Sequence, residues 1–203
     1  MSTFTLPNFS GCKAVVVHPE DQNCELLLPQ LRMLGLSAET NWPVLRARPD
    51  SMDVVFFDAD RGYDGQFPWD AGNAPAPSIA LLGSEAPGRI EWTLRQKPDA
   101  FIQKPVRTGG IFSVLSIAFH NFRHQRRVKH KLDDLNWRLR ARPAVVAAIQ
   151  LLGSELGLDN AEAYQLLRTH AMRQRISIEP LCERISLLNS LAPLNLRSRQ
   201  QQQ

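Results

Sequence analysis

Cysteine is scarce in this 203-residue chain: only Cys12, Cys24 and Cys182, an odd number set far apart. That spacing builds neither a disulfide framework nor a metal knuckle, and it fits a reducing, cytoplasmic compartment. Long apolar runs are missing as well. None approaches the ~20 residues that a bilayer-crossing helix requires, so no membrane association is expected. The opening MSTFTLPNFSGCKAVVV has no basic stretch ahead of a long apolar core, so no signal peptide is read there. No nucleophile–base pair and no metal-ligand constellation stands out, which argues against an enzyme, a cofactor and a metal site. His18 has no ligating neighbour. There is no internal repeat.

What is present describes a globular protein of one large or two small domains, with 43% hydrophobic and 22% charged residues. Net charge is +4 and unevenly placed. The N-terminal half carries most of the acids, whereas basic residues far outnumber Asp133 and Asp134 between Arg123 and Arg142. Such asymmetry suits an anionic partner for the second half, with a solvated helix face as the plainer alternative.

The first half alternates apolar runs with helical patterns. Runs at Ala14–Val17, Asp53–Phe57, Ile79–Leu82 and Ala100–Ile102 read as buried strands. Asp21–Leu34 has a helical pattern that Pro29 should kink or shorten, and Pro87–Arg95 reads as a short helix. Strands alternating with helices predict a doubly wound parallel sheet. The stretch from Arg61 to Pro77, rich in Gly, Pro and Asp, predicts an irregular loop in place of a helix.

From Ile111 onward the pattern is helical. Ala118, Phe122, Gln125, Val128, Leu132, Leu135, Leu139 and Arg142 step by four and three, a heptad seam imperfect at Gln125 and Arg142. Charged flanks favour a dimer seam centred on Val128, Leu132, Leu135 and Leu139 over a helix packed on its own domain. Pro143 should kink this helix or start a new one. Three helical segments then follow. The first is marked by Val145, Ala148, Ile149 and Leu152. The second begins at Asp159, an N-cap with Glu162 closing a capping box. The third carries Ile178, Leu181, Cys182 and Ile185, with Ser177 able to cap it. In the second segment Ala163, Leu166, Leu167, His170 and Ala171 share one face, and Arg173 and Arg175 stand where it ends. Tyr164 and Met172 read as packing residues, as does His170. The tail LRSRQQQQ is polar and expected to fray.

Two resemblances follow from these residues. Gly11 to Phe119 resembles response-regulator receiver domains: Asp58, ending DVVFFD, matches the phosphate-accepting aspartate, and Lys104–Pro105 in FIQKPV matches the lysine–proline pair. Receivers hold Mg²⁺ with two acids directly after the first strand, where this chain has His18–Pro19 and reaches Glu20 and Asp21 too late. The hydroxyl expected after the fourth strand is replaced by Leu82–Gly83, with Ser84 nearby. The resemblance therefore implies a pseudo-receiver in which Asp58 and Lys104 are remnants. Leu139 to Leu188 resembles the ANTAR domain, a three-helix RNA-binding module of bacterial transcription antiterminators. The match lies in Ala148, Leu151–Leu152, Gly157, Ala163, Leu166 or Leu167, Ala171–Met172, Arg173 and Arg175. Ile149, Gly153 and Glu155 depart from the family's wording.

Pseudo-receiver, coiled coil and ANTAR domain in that order resemble the aliphatic-amidase antiterminator type. The resemblance implies residues 1–117 as receiver-like, 118–142 as a coiled-coil linker helix, 143–192 as the RNA-binding helices and 193–203 as tail. It implies a homodimer that holds leader-RNA hairpins through Arg168, Arg173, Gln174 and Arg175. It also implies control by a ligand-sensing regulatory protein rather than by phosphate. His120 and His124 have i,i+4 spacing, but among Arg123, Arg126 and Arg127 they suit a solvated or RNA-facing surface better than a metal. Two alternatives stay open: a regulator switched by phosphorylation of Asp58, and a protein-interaction adaptor that has lost RNA binding.

Overall fold

The structure, a computed structural model, describes residues 7–45 and 52–194. The chain divides into two compact units, Met1–Arg127 and Val128–Gln203.

The first unit is a parallel sheet of β1 (Lys13–Val17), β2 (Ser37–Asn41), β3 (Val54–Asp58), β4 (Ser78–Leu82) and β5 (Ala100–Gln103), in the order β2-β1-β3-β4-β5. The order reverses beside β1, the pattern of a doubly wound sheet whose working edge is at the strands' C-terminal ends. Successive residues point to opposite faces, so each central strand feeds two cores. Ala14, Val16, Val54, Phe56, Ile79 and Leu81 meet α1 (Gln22–Met33) and the start of α3 (Ile111–Leu156) through Leu27, Leu31, Ile111, Leu115 and Ala118. Val15, Val17, Val55, Phe57 and Ala80 face the other way, toward Trp92 of α2 (Pro87–Gln96). The irregular segment expected between β3 and β4 is there. It covers this second face with Phe67 and Trp69, and Phe57 meets Phe67 and Trp92 edge-on at 5.5 and 6.0 Å.

The structure adds to the sequence reading at three points. β2 was not foreseen: SAETN has no apolar run, and as an edge strand it has little core to fill. Pro29 lies inside α1 without shortening it. Pro143 does not start a new helix, since α3 continues from Ile111 to Leu156. A proline removes a single ladder hydrogen bond, and the intact turns on either side carry the helix through.

The second unit packs the end of α3 against α4 (Asn160–Arg173) and α5 (Ile178–Leu188), with a 3-10 turn at Ala192–Leu194. Ala148, Leu152, Ala163, Leu167, Ala171, Leu181, Cys182, Ile185 and Leu194 form its core. Leu194 is buried there, so the helical packing runs past residue 192. The tail expected at 193–203 begins within this 3-10 turn, and its part from residue 195 onward lies outside the described residues. Gly157 turns left-handed after α3, at φ +69°.

Candidate functional site

Two sites emerge, one in each unit. At the C-terminal edge of the sheet, β3 ends on the buried Asp58 and β5 leads into Lys104. Lys104 Nζ lies 2.6 Å from Asp58 Oδ1 and 3.0 Å from Asp60 Oδ2. Asp58 Oδ1 also accepts the Asp60 backbone N–H at 2.9 Å. The remnant pair read from the sequence is thus brought together. Asp60 was missed; only its position two residues past a strand-ending acid could have signalled it.

Burial opposes ionisation of Asp60. Hydrogen bonds from the Gly83 and Ser84 amides and the Lys104 ammonium outweigh that, and its carboxyl ionises below the ordinary range. His18 is fully buried; its Nδ1 bonds the Pro19 carbonyl at 2.8 Å, and its Nε2 stands 3.8 Å from Asp58 Oδ2 with no hydrogen-bond partner.

This edge does not fit Mg²⁺. The ion wants several oxygen ligands in near-octahedral array. Among the described residues no three His, Cys, Asp or Glu side chains gather to hold a metal ion, and the buried His18 stands beside Asp58 where a second acid would be needed. Asp21 is committed elsewhere, capping α1 by accepting the Asn23 and Cys24 amides at 2.8 and 3.2 Å.

In the helical unit, α4 is fixed at both ends. Asp159 accepts the Glu162 N–H at 2.8 Å while Glu162 accepts the Asp159 N–H at 3.0 Å, the capping box expected from the sequence. At the other end, Ile176 N–H reaches Ala171 O at 3.0 Å and Arg175 N–H reaches Met172 O at 3.1 Å. That is a complete Schellman closure, whose left-handed position glycine usually takes. Here it is held by Arg175 at φ +55°. The closure throws Arg175 out of the helix just past Arg173, and both are exposed.

The four residues expected to face RNA lie along α4 and the turn that closes it. Arg168 and Arg173, five residues apart on α4, project about 140° from each other. Arg168 shares its face with Tyr164 and Met172, which are 41% and 68% exposed rather than packed. Gln174, though exposed, donates its side-chain N–H to Pro193 O at 3.2 Å and so braces the end of the domain. Ser177 precedes α5 without a side-chain capping bond.

The departures from ANTAR wording have local reasons at two positions. Ile149 packs on the helical core. At Gly153 a β-carbon would come within 3.3 Å of the Leu158 carbonyl oxygen. Glu155 is exposed, and nothing in the structure explains it.

The seam also divides. Ala118 belongs to the sheet core and Gln125 reaches Asp99 Oδ1 at 3.5 Å, so the apolar stripe left facing solvent begins at Val128. Val128, Leu132, Leu135 and Leu139 are 42–54% exposed. His120 and His124 stack their rings 6.4 Å apart, while Arg123 and Arg126 lie over Phe119 and Phe122. No helix among the described residues is long and apolar enough to cross a membrane.

Against known proteins, the family model described as AmiR, N-terminal, matches residues 12–119, and that described as ANTAR domain matches residues 133–185. The Aliphatic amidase regulator of Pseudomonas aeruginosa is 24% identical over 176 residues, covering 85% of this chain and 90% of that protein. Among solved structures, the response regulator StyR aligns with 89% of this chain and all of its own, at 15% identity and a TM-score of 0.48. Full-length FixJ from B. japonicum aligns with 91% of this chain and 94% of its own, at 14% identity and a TM-score of 0.44.

Proposed function

Because the chain belongs to the AmiR N-terminal family and carries an ANTAR domain behind it, we propose that it is a transcription antitermination regulator that grips leader-RNA hairpins. The observation that carries the RNA reading is Arg175. Its left-handed backbone at the end of α4, a placement that Lys97 and Asn189 share at the ends of α2 and α5, sets an exposed guanidinium just past Arg173. A guanidinium there, beside Arg173, can pair with phosphate or bond an unpaired base in a hairpin loop. Arg168 between the exposed Tyr164 and Met172 offers a second contact face, with Tyr164 able to stack on a loop base.

Two copies pair through Val128, Leu132, Leu135 and Leu139, and the dimer holds two hairpins so that the competing terminator does not form. The receiver-like unit takes its signal from a ligand-sensing protein and not from phosphate, as the misfit to Mg²⁺ supports. The chain then acts as a cytoplasmic regulator and not as an enzyme. A gel shift with the leader transcript adjoining the gene tests this: the wild-type chain retards the RNA, and Arg173→Ala and Arg175→Ala each weaken binding at least tenfold. No retardation at low salt by the intact dimer would leave the adaptor reading.

The close approach of Lys104 to Asp58 favours one rival, a phosphorylation switch. Acetyl phosphate with Mg²⁺, followed by intact mass measurement, separates the two. A stoichiometric adduct lost in Asp58→Asn would establish the rival.

A further inference from the structure

We propose that Asp60 is a built-in anion: its carboxylate fills an oxyanion site formed by the Gly83 and Ser84 amides and the Lys104 ammonium, leaving that site closed to phosphate. The donors converge from two strand ends. Gly83 N–H lies 2.9 and 3.0 Å from the two oxygens of Asp60, Ser84 N–H lies 2.8 Å from Oδ1, and Lys104 Nζ lies 3.0 Å from Oδ2. Two successive backbone amides beside an ammonium make an anion-binding concavity without any metal. Each carboxylate oxygen has at least two donors, so the site is satisfied as it stands.

Gly83 makes the approach possible. A β-carbon there would sit 2.9 Å from Asp60 Oδ2 and 3.4 Å from Lys104 Cβ. The charges also balance against an outside anion. Asp58 and Asp60 already share the one ammonium, so a phosphate dianion entering beside them would meet two carboxylates. It could enter only by displacing Asp60 from charge-assisted bonds, which are about twice as strong as neutral ones. Asp60 keeps 23% of its side chain exposed, so the site opens to solvent once that side chain is gone. This goes beyond the reading of the protein as an RNA-binding regulator and stands without it.

The test is ¹⁵N NMR on the full chain, titrated with inorganic phosphate at constant ionic strength. In the wild type, the Gly83 and Ser84 amides stay in place up to tens of millimolar phosphate. In Asp60→Ala the same two amides shift saturably, and adding Lys104→Ala abolishes the shift. Asp60→Asn keeps the size but sets an amide NH₂, a donor, where one oxygen met two donors; both amide protons move upfield because the charged acceptor is gone, and phosphate shifts them more weakly than in the alanine variant. That variant decides the matter even if the alanine variant does not fold. Saturable phosphate shifts in the wild type, no shifts in a folded Asp60→Ala, or unchanged amides in Asp60→Asn would each overturn the proposal.

Discussion

Arg175 and Asp99 are single residues whose surroundings work against them. At φ +55° the β-carbon of Arg175 crowds its own backbone, which costs ~1–3 kcal/mol. Glycine relieves that strain but loses ~0.4–1 kcal/mol of it to greater freedom in the unfolded chain. Arg175→Gly should therefore raise stability by about 1 kcal/mol in denaturant unfolding while weakening RNA retention. Equal or lower stability would mean that the left-handed turn is not strained. Asp99 is buried and accepts the Ser78 N–H at 2.9 Å; its own carbonyl holds the Asn121 side-chain amide at 2.8 Å. Burial pushes its carboxyl above the ordinary range, further than the Ser78 bonds pull it back. A carboxyl held high in the folded state contributes fully below the unfolded value of about 4, and that contribution drains away as pH rises through the folded value. Asp99→Asn keeps an acceptor oxygen and removes the titration. Its melting temperature minus that of the wild type should grow as pH rises from about 4 toward neutrality; a difference flat with pH would refute the burial argument.

Helix α3 carries the next scale. Four apolar side chains about half exposed on one stripe are poorly served by water, and burying such a side chain is worth ~1.5–3 kcal/mol. Leu135→Lys places a charge in the middle of the stripe and should convert a dimer to a monomer at micromolar concentration, as sedimentation velocity would read. A single species of monomer mass in the wild type would remove the seam from the function. The elements visible in the sequence were those whose signals are local. Asp159 and Glu162 write the start of α4 within four residues, and the apolar runs of β1, β3 and β4 are buried on both faces. β2 stayed hidden because polar SAETN makes its bonds at an edge. The seam was overextended to Ala118 because heptad spacing cannot tell a partner chain from the helix's own domain. Arg168 and Arg173 could be put on different faces from spacing alone, but the exposure of Tyr164 and Met172 could not. Asp60 was invisible because its partners, Gly83, Ser84 and Lys104, meet it only once three strands lie side by side.

At the scale of the whole chain, each unit owns its apolar core. Phe56 and Leu27 fill one, while Leu167, Leu181 and Ile185 fill another far smaller. Separate cores allow separate unfolding, so a single two-state transition is not required. The cysteines report on the units independently. Cys24 is buried in the sheet unit, with burial and three nearby acids raising its pKa. Cys182 is buried in the helical unit, where burial first and Glu179 second push it up to about 11. Neither thiol is a ready nucleophile near neutral pH until its unit opens, because the thiolate is the reactive form. Leu167→Ala deletes a fully buried side chain between α4 and its neighbours, a change that costs ~2–5 kcal/mol. Pulse alkylation along a temperature ramp, read by peptide mass, should show Cys182 labelled at a markedly lower temperature in this variant. Cys24 should be labelled at the wild-type temperature. Were both thiols to move down together, the two cores would be unfolding as one, and control would have to pass through a shared global equilibrium instead of through units that keep their own stability.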